Sequence, residues 1–119
     1  MNNNTSSVNL MKDKARIIIE DILDLILNDS RYDLQGAEYK LWVSFRKKSR
    51  TLCITPTIIH KHMDNLKWFH LILFNKIREA LHKVEWDTIE LDSFLINTSF
   101  LNNKIPPQKL PEKSYTWMI

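Results

Sequence analysis

The residue types that could do chemistry in this chain are few and weakly clustered. Four histidines, His60, His62, His70 and His82, lie near Cys53 and Asp64 in sequence. Imidazole, thiolate and carboxylate are the groups that bind zinc, so the set raises a metal reading. The spacing argues against it. His60 and His62 would share a face on a strand, but the segment reads as helix, where the two side chains point almost oppositely. No CxxC, HExxH or HxxxH pattern occurs. The histidines are expected to be structural or surface groups, with no metal and no cofactor.

Nucleophilic chemistry fares no better. A reactive cysteine needs a positive neighbour or a helix N-terminus to lower its pKa. Arg46 and Arg50 could supply charge to Cys53 from an adjacent turn, but cysteine is among the residue types most often buried, and packing is the expected role. No GxSxG elbow is present. The only glycine, Gly36, leaves no Gly-rich phosphate cradle. Carboxylates cluster on the predicted first helix and at 85–92 and read as wet faces rather than as a catalytic pair with separated pKa values. No catalytic residue is assigned, and the chain is not expected to be an enzyme.

Binding chemistry is better represented. Arg46, Lys47, Lys48 and Arg50 place four cations within five residues, and Lys40 and Trp42 precede them at alternating positions. Cations can neutralise phosphates while an outward indole stacks on a base, so these residues make up a candidate nucleic-acid contact. Lys61, Lys67, Lys76 and Arg78 could extend the patch. The competing reading is a charged turn that guards an edge strand. No RRM, KH, zinc-finger or helix-turn-helix hallmark accompanies the cluster. A second candidate surface is apolar: Trp42, Trp68, Ile72 and Trp117 in the terminal YTWMI, of the types that anchor protein interfaces.

These residues have to be positioned by a small scaffold. The 119 residues suit one domain with a real core, and 44% hydrophobic content argues against disorder. A net charge of +3 is mildly basic, short of a dedicated nucleic-acid coat. One cysteine excludes an internal disulfide and suits a reducing compartment. The polar MNNNTSSVN start resembles no signal peptide, and charged or polar residues interrupt the apolar runs, so no membrane association is expected and the location is taken as cytoplasmic.

The organising element is Leu66–Val84. Stepped at about 100° per residue, Leu66, Phe69, Leu73, Ile77, Ala80, Leu81 and Val84 fall on one face, with Phe74 at its edge. Trp68 and Ile72 form a separate patch one turn apart. A first helix is predicted from about Leu10 to Asn28, with Ala15, Ile18, Ile19, Ile22, Leu25 and Ile26 on its apolar side. Tyr39, Leu41, Val43 and Phe45 alternate with polar or outward residues, the period of a strand. Thr51–Thr55 completes a hairpin. Thr55-Pro56 has the form of a helix start, with Ile58, Ile59, His62 and Met63 opening a helical portion that breaks near Asp64-Asn65. Trp86–Ile96 is read as a third strand, against a capping-box alternative at Asp87 and Glu90. From Ile105, three prolines favour an extended tail that docks on the domain or on a partner.

The expected architecture is therefore α+β: two layers, with helices on one face of a small antiparallel sheet made of the hairpin and a third strand. Residues 1–9 are expected to be a mobile tail, 10–104 the domain and 105–119 a docked extended tail. The expected function is a small non-enzymatic protein-binding module. An adaptor or an inhibitor fits, and the Asn/Ile/Lys bias with scarce glycine suits a phage or mobile element. The alternative is a nucleic-acid-binding accessory protein that uses the basic hairpin.

Overall fold

The computed structural model describes residues 3–34, 36–60, 67–86, 90–102, 108–109 and 112–118. Helix α1 spans Asn3–Leu27, strand β1 Glu38–Arg46, β2 Thr51–Ile59, helix α2 Lys67–His82, β3 Ser93–Asn102, β4 Gln108–Lys109 and β5 Lys113–Met118. It is an α+β chain with a mixed sheet. The strands run β1-β2-β3, and both β4 and β5 pair along the far side of β3.

The sequence predicts an antiparallel sheet; the sheet is instead mixed. β1 and β2 form the antiparallel hairpin, but β2 and β3 are parallel. The reason is the connection: a parallel pair needs a long crossover, usually a helix, and α2 supplies it. β4 and β5 then return antiparallel to β3.

Other boundaries also move. α1 begins at Asn3, so residues 3–9 of the expected tail are helical. Val8 packs against the core and Met11 is buried in it, which carries the apolar stripe back beyond Leu10. Leu25, placed in that stripe from sequence, is instead exposed. Thr55-Pro56 starts no helix; β2 runs through both residues to Ile59. The third strand begins at Ser93, so Trp86 lies outside it. The expected break at Asp64-Asn65 lies outside the described residues, as do Asp87 and the run 105–107. Within the expected docked tail, Lys113–Met118 forms a regular strand, β5, paired with β3.

Pro56 is tolerated inside β2 for a geometric reason. The next even residue of the β2 series beyond the strand, His60, donates its N–H to Leu101 of β3 at 3.0 Å. Even residues of β2 thus turn their backbone groups toward β3, and Pro56 would have to donate there. The parallel ladder is interrupted between the Ile54–Ile96 and Thr57–Ser99 pairs, where that donor is missing, while the antiparallel ladder with β1 continues unbroken through Leu41–Pro56.

One buried cluster joins Met11, Ala15, Ile19, Leu23 and Ile26 of α1 to Phe69, Leu73, Phe74, Ile77 and Leu81 of α2. Its strand members are Val43, Leu52, Ile54, Ile58, Phe94, Ile96 and Phe100, all on one face by the strand register. Aromatic rings extend it. Phe69 meets Phe100 at 5.5 Å between centroids, Phe74 stacks on Tyr115 at 4.1 Å, and Phe94 stacks on Trp117 at 5.0 Å. The buried His70 links three elements: its Nδ1 is 2.5 Å from the Thr98 hydroxyl, which donates to the Lys113 carbonyl at 3.2 Å. Among the described residues, no helix is long and apolar enough to cross a membrane.

Candidate interaction surface on strand β1

Among the described residues, β1 is the first strand of the sheet and pairs on one side only, with β2. In an antiparallel pair, opposed residues alternate between exchanging backbone hydrogen bonds and turning those groups away. Because even residues of β2 face β3, its odd residues face β1, and their partners are the even residues of β1. Tyr39, Leu41, Val43 and Phe45 therefore direct their N–H and C=O groups to the unpaired edge. The Leu41 carbonyl shows this directly, because it accepts from the Arg16 guanidinium of α1 at 3.1 Å. Among the described residues, this is the side-chain cover seen on the outward groups of the nine-residue strand.

The side chains of β1 divide by parity. Tyr39, Leu41, Val43 and Phe45 pack toward the core. Glu38, Lys40, Trp42, Ser44 and Arg46 occupy the other face and are all exposed, Trp42 to 53%. That second face continues in rows across the sheet. Ser44, Cys53, Leu95 and Thr116 make one row, and Arg46, Thr51, Ser93 and Met118 the next. No member of the core cluster comes from this face. Cys53 is buried there, its thiol 3.9 Å from the Thr51 carbonyl.

Charge is polarised along β1. At its start, a groove of about 660 Å³ is lined by Asp24, Asp29, Asp33 and Glu38, with Gly36 and Tyr39. Arg31 pairs with Asp29, Nη2 to Oδ2 at 2.6 Å, and these hydrogen bonds lower the Asp29 carboxyl to about 2. Burial, then the nearby Asp24 carboxylate, raise the Tyr39 phenol. At the other end of β1, Arg46, Lys47 and Lys48 lead through the turn to Arg50. Arg50 is held out of the group: its guanidinium grips Asp92, with Nε to Oδ2 at 3.0 Å and a second contact from Nη2 to Oδ1. Its backbone sits in the left-handed region at φ 49°, and its carbonyl accepts from the Asp92 N–H at 2.8 Å. The Asp92 hydrogen bond raises the Arg50 pKa. Among the described residues, Lys40, Arg46, Lys47 and Lys48 enter no ion pair.

The residues singled out from sequence are thus divided by the fold. Lys40, Trp42 and Arg46 share the open face of β1, with Lys47 and Lys48 beyond it. Trp117 lies on the opposite face of the sheet, half-buried against Phe94 and Phe74, with the Arg78 guanidinium 6.0 Å from its ring centroid. Ile72 is half-buried on α2, and its neighbour Leu71 is 52% exposed. The Trp68 side chain and His62 lie outside the described residues. His60 and His70 are buried, and His82 is exposed beside Arg78. Among the described residues, no cluster of three His, Cys, Asp or Glu side chains could hold a metal ion. The acidic end of β1 and its Arg16 cover were missed from sequence; the clue was Asp24, Asp29, Asp33 and Glu38 recurring just before a strand that ends in cations.

Neither a protein-family model nor a curated protein nor a solved structure matches this chain.

Proposed function

We propose that this chain is a non-enzymatic protein-binding module that engages its partner by strand addition at β1. The observation that supports the reading is the outward row of backbone groups at Tyr39, Leu41, Val43 and Phe45, of which Arg16 covers the Leu41 carbonyl. Strand addition takes its affinity from backbone hydrogen bonds and its specificity from alternate side chains. Here those alternate side chains are Glu38, Lys40, Trp42, Ser44 and Arg46, an aromatic anchor between charges of both signs. An inhibitor or adaptor would work in this way.

The test is a photo-crosslinking amino acid placed at Ser44, beside the edge, and at Thr116 on β5 as a control. Crosslinks in cells from Ser44 and not from Thr116 support the reading. Equal crosslinking from both sites, or none from Ser44, removes it.

A second reading is binding of single-stranded nucleic acid. It is favoured by the position of the half-exposed Trp42 on the open face between Lys40 and Arg46, with Lys47 and Lys48 continuing the charge. Fluorescence anisotropy with short oligonucleotides over a salt series tests it. Binding that weakens steeply with salt, and is lost when Arg46, Lys47 and Lys48 are changed to Ser, supports this reading. No binding at low salt removes it.

A further inference from the structure

We infer that the partner at the β1 edge is a second copy of this chain, joined antiparallel about a two-fold axis at Trp42. The inference rests on the strand-edge reading above and names its occupant.

Three features of β1 are self-complementary in a single register. The outward-facing residues are the odd ones, from Tyr39 to Phe45. Antiparallel pairing centred on position 42 sets Tyr39 opposite Phe45 of the second copy and Leu41 opposite Val43, so all four outward residues exchange backbone hydrogen bonds with another outward residue. A shift of the centre to 41 or 43 leaves one of them unpaired. A two-fold operator needs one patch that complements itself, and this register provides it.

The same register matches charge. Glu38 falls opposite Arg46 of the second copy, twice by symmetry, both on the exposed face. Opposite charges directly across a strand pair are favourable and like charges are not. Beyond the strand, the cationic turn at Lys47 and Lys48 is carried toward the other copy's acidic groove of Asp24, Asp33 and Glu38.

The register also joins aromatic surface. Trp42 meets Trp42 at the axis as a pair without backbone hydrogen bonds, the closer kind of cross-strand neighbour. Two half-exposed indoles then shield one another. Arg16 must release the Leu41 carbonyl as Val43 of the second copy takes its place. The other edge of the sheet, β5, is six residues long and carries no comparable charge alternation.

The test is a charge swap read by native mass spectrometry and light scattering on the full chain. The wild type should show twice the 14.2 kDa chain mass. Glu38→Arg alone and Arg46→Glu alone should each shift the population to monomer, and the double variant should restore the dimer. Circular dichroism melts show whether each variant folds. Independently, Trp42→Cys in a Cys53→Ser background should oxidise to a disulfide dimer, because pairs of this kind bring Cα atoms to about 4.5 Å. Ser44→Cys in the same background should stay reduced, since it faces Lys40 of the second copy.

A monomeric wild type at its highest soluble concentration overturns the inference. So does a dimer that neither charge reversal weakens, or one that crosslinks at Ser44→Cys and not at Trp42→Cys. A monomer that still crosslinks through Ser44 to a different protein in cells overturns self-pairing while the strand-edge reading stands.

Discussion

The Arg16 guanidinium donates 3.1 Å to the Leu41 carbonyl, so a helix side chain covers part of an otherwise open strand edge. Edge strands are commonly guarded by charge, because unpaired backbone groups template further pairing. Arg16→Met keeps the aliphatic stem and removes the donor. Stability should fall by about 1 kcal/mol, as for a typical hydrogen bond. Self-association should rise several-fold, measured as a lower dimer dissociation constant by sedimentation.

The contact between His70 and Thr98 is buried, and Thr98 also reaches the Lys113 carbonyl. Thr98→Val preserves shape and leaves both partners short of a hydrogen bond. The cost should be about 1–3 kcal/mol, the penalty for unsatisfied buried polar groups. Urea denaturation checks it. Thr98→Ser, which keeps the hydroxyl, should cost less.

Arg50 is engaged by Asp92, whereas Lys48 enters no ion pair among the described residues. If oligonucleotides bind at the hairpin, Lys48→Ala should weaken affinity more than Arg50→Ala and should reduce the salt slope by about 1. Anisotropy titrations give both quantities. Asp92→Asn, which loosens Arg50, should tighten binding. In the folded protein the pair is partly exposed and solvent-screened, so its loss should leave the urea midpoint nearly unchanged.

Asp29 gives a pH prediction. Its carboxyl is lowered from 3.8 to about 2 by the Arg31 hydrogen bonds. A carboxyl with a depressed folded pKa contributes stability above its unfolded pKa and loses that contribution as pH falls through the folded value. The loss therefore falls between about pH 4 and pH 2, and it is small because the pair is solvated. Carbon-detected NMR should place the Asp29 midpoint near 2, and Arg31→Gln should return it toward 3.8.

β5 contributes Tyr115 and Trp117 to the rings of Phe74 and Phe94. Trp117→Ala should cost about 2–4 kcal/mol, near or below the usual loss for a large aromatic because the side chain is half-buried. A melting curve measures this. A chain ending before Lys113 should lose cooperative unfolding altogether.

What was legible in the sequence were the local periodicities. The 3.6-residue spacing of Phe69, Leu73, Ile77 and Leu81 predicted the buried face of α2, and the alternation at Tyr39, Leu41, Val43 and Phe45 predicted the inward face of β1. The cationic turn and the outward Trp42 could be read for the same reason, since side-chain direction on a strand is set by parity. Local pattern could not determine partners. Thr55-Pro56 carries a helix-start signal, yet β2 continues through it because β1 pairs along its whole length and the missing proline donor faces a gap in the ladder with β3. The parallel pairing of β2 with β3 follows from the α2 crossover, a relationship between segments distant in sequence. Arg50 looked like one more cation until tertiary contact joined it to Asp92. Parity assigned Trp42 and Trp117 to opposite faces only once β5 was in register with β3. Short-range spacing determines which way a side chain points from its own element; the pairing of strands, and with it which edge stays open, is decided only when the chain closes on itself.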